Sequence, residues 1–361
     1  MNTADTYSWL DQILHRVAFK AIWLQKEIAD IEDAVFLKQV PSDSAENPVF
    51  ITSLPRAGTT LLLEVLSKVS VFASHTYRDL PFVFCPMFWN KISGAFQKKA
   101  TLMDRAHGDG IEIGYDSPEA FEEILWLAFW PEKYSKDRIH PWSQHDRRKD
   151  FEHFFRNHIR KIIALRSKPI EDGQPKRYIS KNNANVARLA LLPALFPNCR
   201  IIIPIRNPWD HVKSLLDQHR RFSKLHGLDR FSQEYMEWLG HFEFGAGLRP
   251  IDFGDWMEEG KFLDPLEETF WATYWVKAYE SILADTCSNM YFFNYDRACE
   301  DPASALKDLS MALSLEDPGE LLAQATRFRK PTKHKNQIEK IHGSLPARVE
   351  AIYKELVSKS G

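Results

Sequence analysis

A short apolar strand that runs through a tight turn directly into a helix constrains this chain more than any other feature. Within residues 48–63 an apolar strand runs into a turn at residues 55–60, which contains Arg56 and Gly58, and the turn leads directly into a helix. Such a unit directs several backbone N–H groups and the positive end of a helix towards one point. A multiply charged anion suits that point, and the segment therefore predicts a phosphate cradle.

This cradle lacks the residues of the common nucleoside-triphosphate loop. That loop ends in Gly-Lys followed by Ser or Thr, with the lysine on the transferred phosphate and the hydroxyl on magnesium. Here Ser53 occupies the position of its first glycine, Thr59 occupies the position of its lysine, and the cation is Arg56 within the turn. The sequence predicts a phosphate site that is not built around magnesium. The alternative interpretation is an ordinary strand-to-helix turn without a ligand.

A second strand-to-helix unit places another cation near a hydroxyl group. Four isoleucines within residues 201–205 form a buried-strand pattern that ends at Arg206. Either Asn207 or Asp210 is predicted to cap the helix that follows. Ser214 lies on that helix, close enough to Arg206 for both to reach one phosphate. A guanidinium and a hydroxyl donor suit a phosphomonoester, whereas the alternative is a surface arginine with an incidental serine.

Together the two units resemble the sulfotransferase family, whose donor is 3'-phosphoadenosine 5'-phosphosulfate. Residues 49–63 are similar to that family's 5'-phosphosulfate loop, although Ala57 stands where a serine is usual. Residues 206–214 are similar to its 3'-phosphate motif. The stretches 179–183 and 294–296 extend the resemblance over most of residues 48–315. They bring it closer to the carbohydrate and protein-tyrosine branch than to the cytosolic phenol branch.

The resemblance implies that the donor is a co-substrate held by the loop and the 3'-phosphate motif. The residues expected to contact it are Ser53, Pro55, Arg56, Ala57, Gly58, Thr59, Thr60, Leu61, Arg206 and Ser214. A sulfuryl group is then expected to move in line to an acceptor hydroxyl or amine, through a loose transition state. Because negative charge grows on the bridging oxygen, Arg56 and Lys181 are expected to stabilise it without a metal ion.

The same reaction needs a general base that takes the proton of the acceptor. His75 is the first candidate, because it follows the cradle helix and imidazole titrates near neutral pH. Asp79, four residues later, is predicted either to be the base itself or to orient His75. Glu119 and Glu123 are further candidates. A purely structural role for His75 is the alternative.

The order of the elements predicts an α/β fold, in which a three-layer parallel sheet of the P-loop type is flanked by helices. Residues 1–40 are expected to form an amphipathic N-terminal helix packed on the core, and residues 41–361 one sulfotransferase α/β domain. The aromatic insertion at 223–264 is predicted to be either an acceptor-binding lid or a packed peripheral subdomain. Ligands of such sheets bind at the carboxyl ends of the strands, where residues 53–58 and Arg206 fall.

Four other stretches have a clear helical or charge pattern. The spacing over residues 5–38 predicts one amphipathic helix. Residues 118–130 predict an apolar helix that begins at Pro118, and residues 147–167 a basic amphipathic helix whose charged face is solvated. The basic run 327–335 predicts either a loop that closes over the donor phosphates or a solvated charged surface.

Composition argues against several other classes of function. A net charge of -2 over 361 residues offers no broad basic face for a nucleic acid. The sequence shows no secretory signal and no apolar run long enough to cross a bilayer, which predicts a cytoplasmic location. The four cysteines are scattered and the thirteen histidines form no compact ligand motif, so no metal site is predicted. The acceptor is expected to be a small molecule or a glycan, and the oligomeric state stays open.

Two other functions are alternatives. A small-molecule kinase that uses ATP and magnesium would need a carboxylate for the metal at a strand end, and no aspartate follows the strands at Ile51 or Ile205 in that role. A non-catalytic adenine-nucleotide-binding protein would keep the cradle but transfer no group. Preference for a 3'-phosphorylated nucleotide distinguishes a sulfotransferase from the first, and turnover distinguishes it from the second.

Overall fold

A computed structural model of the chain describes residues 9–93, 103–104, 112–113, 116–167, 176–259, 263–329, 341 and 343–360. The strands are β1 (Val49–Ile51), β2 (Phe72–Ala73), β3 (Met103–Asp104), β4 (Glu112–Ile113), β5 (Arg177–Lys181), β6 (Arg200–Ile205) and β7 (Met290–Asn294). The pair β3 and β4 is antiparallel and separate from the main sheet.

Helices occupy most of the remaining described chain. They are α1 (Trp9–Lys20), α2 (Ile22–Phe36), α3 (Thr59–Leu66), α4 (Pro86–Ser93), α5 (Glu122–Phe129), α6 (Lys149–Arg166), α7 (Leu191–Leu195), α8 (Pro208–Leu228), α9 (Arg230–Trp238), α10 (Trp256–Glu259), α11 (Glu268–Ala284), α12 (Tyr295–Glu300), α13 (Pro302–Ala312), α14 (Gly319–Leu322) and α15 (Leu345–Ser358). None of the helices in the described ranges combines the length and apolar character that a bilayer span requires.

The main sheet has five strands in the order β2-β5-β1-β6-β7, and every pair is parallel. In the register of β1 with its two neighbours, Ile51 lies opposite both Lys181 and Ile202. The carboxyl ends of all five strands therefore meet at one edge of the sheet. A parallel sheet flanked by helices is the predicted fold class, and that prediction is confirmed.

The central strands are apolar on both faces because helices cover both of them. On one face, Val49 and Ile51 pack with the apolar side of α3 and with α13. On the other face, Phe50 packs against Phe155 of α6 and Phe196, with ring centroids 6.5 and 5.9 Å away. Residues of α11 and α15 belong to the same apolar core cluster as Phe50. The sheet with a layer of helices on each face gives the three layers of the fold.

The N-terminal segment differs from the single helix expected over residues 5–38. The described part is divided into α1 and α2, because the φ and ψ angles of Ala21 (-104° and 30°) leave the helical region. The buried side-chain amide of Gln25 donates a hydrogen bond of 2.9 Å to the carbonyl oxygen of Ala18, next to the break. A polar side chain that bonds to the backbone in this way competes with continuous helix.

The basic face of α6 is only partly solvated, whereas the sequence predicted a solvated face. The Lys161 ammonium is fully buried and lies 3.0 Å from Glu32 and 2.7 Å from Asp33, both on α2. Near the end of α6, Arg166 pairs with Asp79 at 2.6 Å. Buried cations need such partners, because an unpaired charge away from water is costly. The sequence pattern of α6 alone does not reveal the acidic side chains that approach it.

Helix α5 begins at Glu122 rather than at Pro118. Pro118 instead forms an isolated antiparallel bridge with Thr76. The next residue, Glu119, donates its backbone N–H to the carbonyl oxygen of His75 at 3.1 Å. These bonds hold the start of the predicted helix in an extended conformation beside the segment that follows β2.

The aromatic insertion predicted over residues 223–264 contains more regular structure than expected. Helix α8 continues to Leu228, and the side chain of Asp229 then caps the start of α9. Several aromatic residues of the insertion are buried in the main core: Phe242, Phe244, Phe253 and Trp256. Residues 260–262 of the insertion lie outside the described residues.

Candidate active site

The loop between β1 and α3, which we call the cradle loop (residues 53–58), adopts left-handed backbone conformations at two positions. The φ angle is 72° at Arg56 and 100° at Gly58. Gly58 is the residue before the first turn of α3, and no side chain caps that turn. Because the first N–H groups of a helix have no partner within it, they are left to bind water or an anion.

Tyr295 packs directly on Gly58. A Cβ atom built on Gly58 would lie only 2.5 Å from Cδ2 of the Tyr295 ring. The guanidinium carbon of Arg206 lies 5.9 Å from the centroid of the same ring. Burial raises the pKa of the Tyr295 hydroxyl to about 12, so the ring stays uncharged at neutral pH. The close contact leaves room only for glycine in the cradle loop at this point.

The two predicted phosphate-binding segments contact each other. Arg206 donates a hydrogen bond of 3.2 Å from Nη1 to the carbonyl oxygen of Arg56. Arg56 in turn donates from Nε to the hydroxyl of Ser214 at 3.1 Å. The Nε atom of Arg206 is buried and has no hydrogen-bond partner among the described residues. Of the two predicted caps of α8, Asn207 takes that role, accepting the N–H of Asp210 at 3.2 Å.

A cleft of about 560 Å³ opens at the carboxyl edge of the sheet, and we call it the arginine cleft. Six of the residues predicted to contact the donor line it: Arg56, Gly58, Thr59, Thr60, Leu61 and Arg206. Arg327 and Arg329 add two more cations, and the cleft's carboxylate, Glu64, is paired with Arg327. Residues 330–335, the rest of the predicted basic run, lie outside the described residues.

A second, narrower cavity of about 30 Å³ borders the other side of the cradle loop, and we call it the lid cavity. Leu54 and Pro55 line it from the loop, and Lys181 lines it from the end of β5. Its opposite wall comes from residues 240–243 and 248–251, which belong to the aromatic insertion. The volume holds only a few water molecules. The cradle loop therefore borders both the arginine cleft and the lid cavity.

A chain of hydrogen bonds runs from the first turn of α3 to the lid cavity. Thr59 donates from its hydroxyl to Oδ1 of Asn183 at 3.1 Å. Asn183 donates from Nδ2 to Oε1 of Glu243 at 3.0 Å. Asn183 lies two residues after Lys181, so the end of β5 positions both side chains. This chain joins the first turn of α3 to a carboxylate of the opposite wall.

His75 and Asp79 lie elsewhere, in a buried network that lines neither cavity. His75 Nδ1 lies 3.1 Å from Asp79 Oδ2, and His75 Nε2 lies 3.0 Å from Nε2 of His158. Because a carboxylate only accepts, the network implies that His75 Nδ1–H donates to Asp79 and that His158 donates to His75 Nε2. Both ring nitrogens of His75 are then occupied.

Asp79 is held as a carboxylate within this network. Burial alone would raise its pKa, but the hydrogen bond from His75 and the charge of Arg166 outweigh burial and lower the pKa. Burial, with the nearby His75, lowers the pKa of His158 well below its ordinary value. The group stabilises the segment after β2 and lies apart from the two cavities.

The two glutamates that the sequence offered as further bases are committed to structural hydrogen bonds. Glu123 forms a buried pair with Arg188 at 2.7 Å and accepts from Asn182 at 2.8 Å. Glu119 accepts from the Tyr77 hydroxyl and lies in the bend that precedes α5. Of the two, only Glu123 lines the lid cavity.

Among the residues predicted to contact the donor, Ser53 and Ala57 are fully buried. The Ser53 hydroxyl shares a hydrogen bond of 2.8 Å with the hydroxyl of Tyr279, away from solvent. Ala57 is fully buried. Neither residue lines the arginine cleft or the lid cavity.

His211 of α8 fixes the cradle loop from behind. Its Nε2 lies 2.7 Å from the carbonyl oxygen of Pro55, so the neutral ring donates to that oxygen. The ring is fully buried, and burial lowers the pKa of His211 to about 3. A charged imidazole here would be buried without a carboxylate partner among the described residues, so the ring stays neutral.

Sequence reasoning did not select Glu243, His241 or Arg249, although all three line the lid cavity. They stand in the insertion where polar residues alternate with aromatic ones, as in residues 240–244. That alternation is a signal for a segment with one packed side and one open side. Among the described residues, no group of three or more His, Cys, Asp or Glu is arranged to hold a metal ion.

A family model described as the sulfotransferase family matches residues 48–247, which is more than half of the chain. The match includes the cradle loop, β5, β6 and the lid-cavity residues 240–243. No curated protein gives a significant sequence match.

Solved sulfotransferase structures are similar to this chain at low sequence identity. STF9 from Mycobacterium avium has a TM-score of 0.51 and 12% identity, over 91% of this chain and 80% of that chain. STF1 from Mycobacterium tuberculosis H37Rv has a TM-score of 0.45 and 13% identity, over 96% and 83%. Mouse SULT7A1, solved with PAP, has a TM-score of 0.35 and 14% identity, over 89% and 89%. The first of these supports the fold.

We predict that Gly58→Ala destabilises the protein more than Gly254→Ala. Both glycines have positive φ angles, 100° and 61°, but only at Gly58 would a Cβ atom overlap a ring, since nothing lies within 4 Å of the corresponding point at Gly254. Left-handed strain costs about 1–2 kcal/mol at either site. Overpacking against Tyr295 should add about 1–3 kcal/mol at Gly58. Urea unfolding measures both, and equal losses would contradict the contact with Tyr295.

We also predict that His211 makes folding stability fall in mild acid. Its folded pKa is about 3, below the unfolded value of 6.5, so its contribution is complete above pH 6.5 and is lost as the pH falls towards 3. Between pH 7 and 5 this amounts to about 2 kcal/mol. His211→Gln keeps a donor for Pro55 but does not titrate. The fall in unfolding free energy between these pH values should therefore be smaller in the variant, and an unchanged fall would refute the assignment.

Proposed function

This chain belongs to the sulfotransferase family, and we propose that it transfers a sulfuryl group from 3'-phosphoadenosine 5'-phosphosulfate to a hydroxyl or amine of a small-molecule or glycan acceptor. The observation that carries the proposal is that the cradle loop borders two cavities at once. A donor held in the arginine cleft would have its reactive end at the loop. An acceptor in the lid cavity would approach the same loop from the other side.

The charge of the arginine cleft supports a donor with several negative groups. Among the described residues that line the cleft, four arginines outnumber one glutamate, Glu64, which is already paired with Arg327. Guanidinium groups form strong charge-assisted hydrogen bonds with phosphate. We assign the 3'-phosphate to Arg206 and Ser214, and the 5'-phosphosulfate to the cradle loop and the first turn of α3. The buried and unpartnered Nε of Arg206 supplies a donor for this purpose.

We assign stabilisation of the transition state to Arg56 and Lys181. As the sulfuryl group leaves, negative charge grows on the oxygen that bridged sulfur and phosphorus, and fixed cations beside that oxygen lower the barrier. Arg56 lies in the arginine cleft, and Lys181 lies in the lid cavity. Arg56 belongs to the cradle loop and Lys181 lies beside it, so both cations are near the position where the bridging oxygen is expected. The proposal requires no metal ion.

The base predicted from sequence, His75 or Asp79, stays a prediction, as does the cytoplasmic location. To act as a base, His75 would have to exchange the hydrogen bond from His158 for one from the acceptor. An acceptor larger than a few water molecules also requires the wall formed by residues 240–251 to move away from the cradle loop.

The proposed function is tested by nucleotide binding and by transfer. Calorimetry should show that 3'-phosphoadenosine 5'-phosphate binds more tightly than ATP, with or without magnesium. Labelled sulfate should then pass from the donor to at least one member of a panel of sugars, phenols and lipids. A preference for ATP with magnesium would favour the kinase alternative. Binding of the 3'-phosphorylated nucleotide without any transfer would favour the non-catalytic alternative.

We predict that Arg206→Ala weakens binding of 3'-phosphoadenosine 5'-phosphate by about 1.5–3 kcal/mol, the value of hydrogen bonds to a charged group. Binding of the 3'-dephospho analogue should change little, because it lacks the group that Arg206 holds. Calorimetry with the two nucleotides gives the difference. Arg230→Ala is the matched control, since that arginine is 90% exposed on α9 and should leave both affinities unchanged. Equal weakening of the two nucleotides by Arg206→Ala would contradict the assignment.

A further inference from the structure

Two glutamates line the lid cavity among the described residues, and they differ in what already binds them. The carboxylate of Glu123 is 3% exposed and both its oxygens are occupied by Arg188, at 2.7 and 2.8 Å. Asn182 and Tyr134 donate to it as well. Both oxygens of Glu123 are therefore occupied by structural partners in a buried ion pair, which leaves neither oxygen for a ligand.

Glu243 has a different environment. Its Oε1 accepts one hydrogen bond, from Asn183 at 3.0 Å, and its Oε2 has no hydrogen-bond partner among the described residues. No lysine or arginine of the described residues lies within ion-pair distance of it. Its side chain is partly exposed and faces the lid cavity together with Lys181. One oxygen of Glu243 is therefore held in place while the other is open to a ligand.

The position of Glu243 also suits the reaction proposed above. The hydrogen bonds from Thr59 through Asn183 place the carboxylate one side chain away from the first turn of α3. The sulfuryl group of a donor held by the cradle loop would lie near that turn. A base must come within hydrogen-bond reach of the acceptor atom that attacks this group. The amide of Asn183 orients the Glu243 carboxylate towards the lid cavity.

We propose that Glu243 is the general base of the acceptor site, an inference that rests on the proposed function. The acceptor hydroxyl oxygen forms a bond to sulfur as the bond between sulfur and the bridging oxygen breaks. The electron pair of the broken bond stays on the phosphate of the leaving 3'-phosphoadenosine 5'-phosphate. The hydroxyl proton passes to the free oxygen of Glu243. Asn183 is a positioning residue, because it acts through the carboxylate that it holds.

His241 is the competing group in the same cavity. Its Nε2 lies 3.3 Å from the carbonyl oxygen of Ala120, which fixes one nitrogen and leaves the other as a possible proton acceptor. None of the hydrogen bonds of the described residues connects His241 to the cradle loop or to α3, however. Glu243 is favoured because Asn183 connects it to Thr59 in the first turn of α3.

The experiment compares four proteins with the wild type: Glu243→Gln, Glu243→Asp, His241→Asn and Glu259→Gln. The glutamine variant keeps the shape and a hydrogen bond to Asn183 but cannot take a proton. Glu259→Gln makes the same chemical change at a side chain that is 74% exposed on α10 and lines neither cavity. Affinity for 3'-phosphoadenosine 5'-phosphate, thermal unfolding, kcat and KM are measured for each, with the acceptor identified for the wild type. The pH dependence of kcat/KM completes the set.

Glu243→Gln should lower kcat by about 10²- to 10⁴-fold, the usual contribution of a general base, while nucleotide affinity stays within about twofold. It should also remove the fall of kcat/KM at acidic pH that protonation of the base causes. Glu243→Asp should keep part of the turnover and the acidic fall, and it tests the assignment even if the glutamine variant does not fold. Glu259→Gln should match the wild type.

The outcomes separate this inference from the proposed function. A wild-type protein that neither binds the 3'-phosphorylated nucleotide nor transfers sulfate overturns the proposed function, and the base with it. If the wild type transfers sulfate and Glu243→Gln keeps its turnover and its acidic fall, this assignment alone is overturned. Loss of the acidic fall in His241→Asn instead, or loss of nucleotide affinity in Glu243→Gln, overturns it as well.

Discussion

The parallel pairing of β1 with β5 and β6 is the constraint on which both cavities depend. With Ile51 opposite Lys181 and Ile202, the cradle loop, Lys181 and the segment after β6 all leave the sheet at the same edge. Helices bury both faces of these strands, so a shift in register would expose apolar side chains. The arrangement of cations around the cradle loop is therefore fixed by the core of the protein, and less by the loop's own contacts.

Local patterns explain what the sequence predicts well. The strand-to-helix units at β1 and β6 depend on neighbouring residues, and they appear where the apolar pattern places them. The predicted donor contacts Arg56, Arg206 and Ser214 are brought together because both units end at the same sheet edge. The fold class and the residues of the arginine cleft were predictable for this reason.

The features that the sequence did not predict depend on contacts between segments far apart in the chain. His75 was selected as a base because imidazole titrates near neutral pH. In the structure both its ring nitrogens are occupied, by Asp79 and by His158, and no local sequence pattern reveals the contact with His158. Glu243 is absent from the sequence prediction because its importance comes from Asn183, sixty residues earlier. Likewise, Lys161 looks like a solvated lysine until Glu32 and Asp33 approach it.

The contact between Gly58 and Tyr295 links two positions that are distant in sequence and restricts what each can become. Shrinking the ring at position 295 would free the space that a methyl group at position 58 needs, yet the backbone there would still have a φ angle of 100°. Two separate constraints therefore favour glycine at position 58: the contact with the Tyr295 ring and the positive φ angle of its own backbone. Any redesign of this wall must begin on the tyrosine's side, because a change at the glycine alone meets both obstacles together.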